Sequence, residues 1–480
     1  MSRNRILILA ILPLILASLA CQAILGPANG PSIGPTLLPT ATQYTPPAPT
    51  AGAAPTAGGA LNPAPTRTPA SLDPVGMASA TPEIELQVTV NPIPTPLSLD
   101  LQLDVFEDVW NVVNDGYVYA DFNGVDWDAA HDEYRQRIQA GLSNDEFYTT
   151  VNEMIALLGD DHSYFLDPQA VIEEDAEYKG NLDYVGIGVL ITAAPERSRA
   201  VIILVFPGSP AEAAGLQSRD SIISVGGESI LDEEGYLRDI VRGPEGTIAN
   251  VLVQTPGQAP REIQIPRHRI TGGYPVPHTV LTSPNGQRIG YILLPSFADT
   301  TVDEQFGAAI EAMTSEAPLD GLVVDNRMNG GGADTVLRPT LGYFLAGVVG
   351  NFTSRYEERA LRVEKLTDVS GSSTLPLVVL IGPDTVSYGE VFAGVLSDSG
   401  RAYLIGETTG GNVETLWGYD FDDGSRLWIA SETFRPINHP EQDWEQTGII
   451  PNLEIPVIWD EYTVDTDPAV LAALDFFDRK

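Results

Sequence analysis

The sequence predicts an α/β core built on a parallel sheet, with a helical domain before it and a β-rich insert between the two. Three observations carry this. Residues 319–347 and 375–411 each read as strand, turn and helix, the second returning to a strand, and such units build parallel sheets with helices on their faces. Residues 103–158 keep apolar side chains at helical spacing. Between 184 and 266 the texture changes to short β-branched runs separated by turns.

Taken in order, the chain opens with Arg3 and Arg5, an apolar run from Ile6, and small residues before Cys21, its single cysteine. The run is short and close to the start, which predicts a signal peptide over 1–21 rather than a spanning helix. Its end, LASLAC, resembles a bacterial lipobox with Ser18 where leucine is usual. That resemblance makes Cys21 a candidate lipidated first residue, with ordinary secretion or an uncleaved anchor as the alternatives. Residues 22–97 are rich in Pro, Thr, Ala and Gly without a period, a composition that predicts an extended spacer and no fold.

A helical domain is expected over 98–181. Leu103, Phe106, Val109, Trp110, Val113 and Tyr117 recur at helical spacing, a second amphipathic stretch runs from Trp127 to Ile138, and Ser143 with Glu146 opens a third as a capping box. The domain ends in LLGDDHSYFLDP, residues 157–168, where Asp160 and Asp161 read as a turn and His162 is a candidate site residue. A lone histidine after a helix is more often structural, so His162 needs support from elsewhere.

The insert, 182–268, begins with YVGIGVLI (184–191), read as one strand led by Gly186 and Gly188. Then AVIILVFPGSPAEAAGLQSRDSIISVGGESI (200–230) predicts strand, short helix, strand and a Gly226-Gly227 hairpin turn. A helix through Leu237 and Ile240 and a last strand pair up to about Pro266 complete it. This segment resembles a PDZ domain, with Gly186, Ile187 and Gly188 matching the carboxylate-binding loop. The resemblance implies capture of an extended peptide by strand addition, most simply through its free C-terminus. A packing module without a ligand is the plainer alternative.

The core is expected over 269–465, with a tail at 466–480. In the stretch LDGLVVDNRMNGGGADTVLRPTLGYFLAG (319–347) a strand leads into a loop at Gly330-Gly331-Gly332 and a helix near Asp334. The loop has no GK[ST] and no dinucleotide fingerprint, so it is no phosphate cradle. In 375–411 the apolar run Leu375–Ile381 turns at Gly382-Pro383-Asp384, and Val391, Phe392, Val395 and Leu396 form one face of a helix ending near Gly400. Ser387 sits where turn becomes helix. It could simply cap that helix, with Glu390 completing a capping box. The same position also offers free main-chain N–H groups and a positive dipole end, which stabilise an oxyanion during acyl transfer.

A formal net charge of −39 argues against nucleic acid or an anionic membrane surface as partner and fits a self-repelling extracytoplasmic protein. No cluster of His, Cys and carboxylates has metal-ligand spacing, so neither a metal nor another cofactor is expected.

The ordered series of DDHS, PDZ segment, DNRMNGGG, SYGE, GETTGG and TGIIPNLEIP resembles the tail-specific, or C-terminal processing, serine peptidases over roughly residues 100–458. The resemblance implies a crotonase-like α/β catalytic core, a nucleophile at Ser387, and oxyanion donors at Gly331 and the N–H of Tyr388. Asn452 replaces the aspartate of that family's closing G-x-x-P-D stretch. It also exposes a gap. Family members carry a lysine base in a TFGKG segment, and here the segment reads TTGGN, with Asn412 or a deletion in its place. Asparagine cannot take a proton from a serine. The lysines are Lys179, Lys365 and Lys480, and Lys365 precedes the nucleophile strand, where the family has no base.

The tricorn core protease and its relatives resemble this chain in another way, using a histidine of the helical domain as base with a glutamate near the C-terminal stretch. On that resemblance His162 is the base, Ser163 a residue that could orient it, and Glu445 the supporting carboxylate. Asp325 is expected to tie down the glycine loop. The expectation is thus an envelope serine endopeptidase that docks peptide or protein C-termini on its PDZ domain, held to the membrane through Cys21. The alternative is a catalytically inactive peptide-binding protein on the same fold.

Overall fold

The structure, a computed structural model, describes residues 96–160, 162–366 and 368–479. The expected signal peptide with Cys21, and the spacer as far as residue 95, lie outside the described residues. Among those described, no helix is long and apolar enough to cross a membrane.

The core sheet has six strands in the order His278–Thr282, Arg288–Leu293, Gly321–Asp325, Leu377–Ile381, Tyr403–Gly406 and Leu453–Glu454. The first pair is antiparallel and the remaining pairs are parallel, with Val324 beside Val379 and Ile405 beside Leu453. Both central strands are buried along their whole length, as expected of a sheet covered on both faces. Asn452 joins the edge, its side-chain oxygen accepting the Leu404 N–H at 2.7 Å while its own N–H reaches the Leu404 carbonyl. The ends of the two central strands feed the glycine loop and the Ser387 turn, so both loops open at the carboxyl edge of the sheet, where α/β folds build their sites.

A second, antiparallel sheet lies beside the first. Its long strand Arg426–Pro436 pairs with Gly347–Thr353 and Thr415–Asp420, and also with Tyr164–Leu166 from the helical domain. The helical domain therefore has no core of its own. Phe106, Val109, Phe147 and Met154 share one buried cluster with Leu427, Ile429 and Ala430. The helices Leu99–Gly116, Trp127–Gln139 and Asn144–Ala156 stand where the spacing put them, and the Ser143–Glu146 capping box is formed. A further helix, Pro168–Tyr178, starts from the Asp167 cap with proline in its first turn.

In the insert, the run 184–191 is two strands rather than one. Leu182–Gly186 pairs with His268–Gly272 as a neck, and Val189–Ala194 edges the PDZ sheet. The break falls at Gly188, in left-handed conformation and so close to Ser209 that a Cβ there would lie 2.3 Å from the serine's Cβ. The helix expected through Leu237 and Ile240 is absent. Asp232 accepts the N–H groups of Glu234 and Tyr236, Gly235 turns left-handed, and Leu231 bridges to Leu237. Two apolar residues three apart fit a looped hairpin as well as a helix, and the aspartate's side-chain turn decides between them.

The expected tail at 466–480 is part of the core. The helix Pro468–Asp478 buries Ala469, Val470, Ala473, Leu474 and Phe477, and Gly321 lies so close to the Phe477 ring that a side chain there would collide. Asp467 caps that helix and also meets Arg219 of the insert at 2.7 Å and Arg327 of the glycine loop at 2.8 Å. Replacing it leaves two buried guanidinium groups to share Asp325 alone and opens a helix end. Asp467→Ala is expected to destabilise the protein by about 3–5 kcal/mol, read as a lower urea midpoint; a loss under about 1 kcal/mol would mean solvent reaches the cluster.

Candidate active site

Ser387 has φ 54° and ψ −129°, a backbone conformation that costs a non-glycine residue about 1–3 kcal/mol. Two acceptors hold it there. Its N–H donates to the Asn412 carbonyl at 2.7 Å and to Glu390 Oε2 at 3.2 Å. Glycines make the neighbourhood possible. A Cβ on Gly331 would stand 2.6 Å from the Ser387 Cβ, and one on Gly389 would stand 2.4 Å from the Asn329 carbonyl oxygen. The half-buried serine therefore tops the helix Tyr388–Asp398 with the glycine loop pressed against it.

Of the two expected oxyanion donors, the Tyr388 N–H lies in the first helical turn, where no carbonyl one turn back is available to it. Gly331 is where the resemblance implies, but its N–H already donates to Asn329 Oδ1 at 2.9 Å. Asp325 acts as expected, tying the loop through the N–H and guanidinium of Arg327 and accepting the Tyr291 hydroxyl.

Glu390 is fully buried and organises the site. Its Oε1 accepts the Thr409 hydroxyl and the Gly411 N–H, and its Oε2 accepts the N–H groups of Asn412 and Ser387. Burial raises its pKa, and the Thr409 hydroxyl, these N–H groups and the nearby His162 ring oppose that rise. The Thr409 oxygen also accepts the Ile449 N–H at 2.6 Å, which joins the segment carrying Glu445.

His162 is 2 % exposed, and neither ring nitrogen has a hydrogen-bond partner among the described residues. Asp160 accepts the N–H groups of His162 and Ser163, fixing the turn. The Ser163 hydroxyl donates to Asp160 and accepts the Ala430 N–H, so it anchors the turn to the long strand rather than orienting the imidazole. Nδ1 of His162 lies 3.8 Å from Glu414 Oε2, and both side chains are buried. The other four histidines lie away from this cluster: His131 beside Glu107, His268 beside Glu245, His439 beside Asp398, and His278 on an edge strand. Lys365 is exposed, near Asp368.

Glu414 is the residue that sequence reasoning passed over. It stands two positions beyond Asn412, in the segment searched for a lysine, and a search for carboxylates there would have found it. Glu445 serves it. Glu445 Oε2 accepts the N–H groups of Val413 at 2.7 Å and Glu414 at 3.2 Å. Burial first, then the charges of Glu414 and Glu390, push its pKa up to about 8.

A strained serine on a helix N-terminus, a main-chain donor beside it and a buried imidazole among carboxylates form the equipment of acyl transfer. The profile of Peptidase family S41 matches residues 288–455, that of the tricorn protease C1 domain residues 103–156, and a PDZ profile residues 201–255. A carboxyl-terminal-processing protease of a Picosynechococcus strain is 30 % identical over 404 residues, covering 81 % of this chain and 92 % of that protein. The chain belongs to the C-terminal processing peptidases of family S41. It is a serine peptidase. A Synechocystis carboxyl-terminal-processing protease is also 30 % identical, over 396 residues and 88 % of its length. The solved structure of a photosystem II D1 C-terminal processing protease matches in fold, with a TM-score of 0.51 at 24 % identity over 74 % of this chain and 92 % of that one.

The peptidase's PDZ domain holds a groove along the edge strand Val189–Ala194. Ile187 and Gly188 line it together with Tyr184, Phe206, Leu237 and Arg242, whereas Gly186 ends the neck strand opposite His268 and is not among the lining residues.

The raised Glu445 pKa gives a stability test. A carboxyl whose folded pKa is raised contributes stability at low pH that is lost as pH climbs from its ordinary range through about 8. Glu445→Gln removes this dependence. The melting temperature of the variant relative to wild type should rise by about 2–4 °C between pH 5 and pH 8.5, followed by scanning fluorimetry. A difference that stays constant over that range would mean Glu445 is ionised throughout.

Proposed function

We propose that this peptidase cleaves extracytoplasmic polypeptides by an acyl-enzyme mechanism at Ser387, after docking their C-terminal segment on the PDZ edge strand. The observation that carries the reading is the buried His162 among carboxylates, one of which, Glu390, also holds the N–H of Ser387. Ser387 Oγ bonds to the peptide carbonyl carbon while its proton passes to a ring nitrogen of His162. The Tyr388 N–H donates to the resulting oxyanion. Gly331 joins it once Asn329 releases its N–H. As the C–N bond breaks, the imidazolium returns the proton to the leaving amine, and water then hydrolyses the ester by the same relay.

Docking is supported by the outer edge of Val189–Ala194, unpaired among the described residues, and the apolar groove beside it, which suit an added strand. Glu445 supports the site by holding the main chain of Val413 and Glu414. Residence at the envelope rests on the leader and on Cys21, whose lipidation would tether the enzyme through the long spacer.

Labelling of the full-length protein by a fluorophosphonate, read by intact mass, tests the reading. One adduct is expected on wild type and none on Ser387→Ala. His162→Ala should label at least about 100-fold more slowly. Undiminished labelling of His162→Ala would remove the histidine from its role. A wild type that never labels, with or without a C-terminal peptide, would favour an inactive peptide-binding protein.

A further inference from the structure

Resting on the reading of His162 as the base, a second question follows from its surroundings. An imidazole that accepts a serine proton becomes a cation, and a buried cation needs an opposing charge and an acceptor for its second N–H. Among the described residues, neither ring nitrogen has such an acceptor at hydrogen-bond distance. The carboxylates near it are not equally free. Both oxygens of Glu390 are occupied by four donors, and both oxygens of Asp160 by the turn that carries the histidine. Glu445 turns Oε2 to the main chain of residues 413 and 414. Glu414 Oε2 is the carboxylate oxygen that faces the ring, at 3.8 Å from Nδ1.

We propose that Glu414 is the positioning residue of the base: its carboxylate takes the Nδ1–H of His162, leaves Nε2 to receive the serine proton, and balances the imidazolium that forms. Closing 3.8 Å to hydrogen-bond length takes about 1 Å of movement, and such contacts commonly tighten only when substrate is bound. The surroundings hold Glu414 in readiness. The Tyr119 side chain lies close to it, and Glu445 grips its N–H. The other titratable groups facing the pair are Tyr117 on the loop after the first helix, Asp160 on the histidine turn, Glu390 on the nucleophile helix, and Asp443 beside Glu445.

The test is the rate of fluorophosphonate labelling of Ser387 as a function of pH in the full-length protein. Glu414→Gln is expected to slow labelling at pH 7.5 by about 100-fold or more, in line with loss of an orienting carboxylate elsewhere. The acid limb of its profile should move to lower pH, since an imidazolium without its counter-charge forms less readily. A Glu414→Gln rate within threefold of wild type, with the acid limb unmoved, would overturn the proposal. His162→Ala in the same series separates the two readings: wild-type labelling there means the base itself was misassigned. If Glu414→Gln does not fold, nitrogen NMR of the imidazole in the Ser387→Ala protein decides instead. A neutral ring protonated on Nδ1 is expected, and one protonated on Nε2 would sink the idea.

Discussion

The site depends on one buried carboxylate. Glu390 gathers a hydroxyl and three main-chain N–H groups from two separate loops, and in doing so holds Ser387 in a conformation that its side chain would otherwise avoid. Thr409 extends the tie to Ile449, four residues from Glu445. Ser387, the loop bearing Glu414 and the segment bearing Glu445 are thereby one hydrogen-bonded body. A buried acceptor with this many donors has a strong directional preference, and losing any single donor leaves a costly gap in a water-poor interior.

A second buried assembly fixes the opposite side of the glycine loop. Asp325 and Asp467 face Arg219 and Arg327, with both guanidinium groups lying over the Trp459 ring. Its members come from the PDZ insert, the loop before the glycines and the C-terminal segment. Ion pairs this deep add little net stability over apolar packing, but they are intolerant of rearrangement. The glycine loop is thus held from behind by charge and from in front by Ser387 and Asn329.

The parts legible in sequence were those whose signal is local. The Leu377–Ile381 strand, the Ser387 turn and the helix after it follow from a bounded apolar run, turn residues and helical spacing. The Ser143–Glu146 box and the Gly226-Gly227 turn are equally short-range. Where two residues had to stand for an element, as with Leu237 and Ile240, a single aspartate hydrogen-bonding its own loop changed the outcome. The C-terminal helix shows the converse. Its apolar positions and the Asp467-Pro468 start were present, but only the fit against Gly321 and the two arginines makes it part of the core.

By itself, the sequence determined the order of elements, the serine at the helix start, the glycines it needs beside it and the absence of a lysine from TTGGN, because each is a matter of residue type at short spacing. Tertiary structure decided which groups gather beside that segment. His162 and Glu414 are far apart in the chain and come within 3.8 Å only because the helical domain lends a strand to the long strand Arg426–Pro436. The same folding tied Gly331 to Asn329 and raised the Glu445 pKa. Burial and the charges of neighbours set those properties, and neither exists until the chain has closed around them.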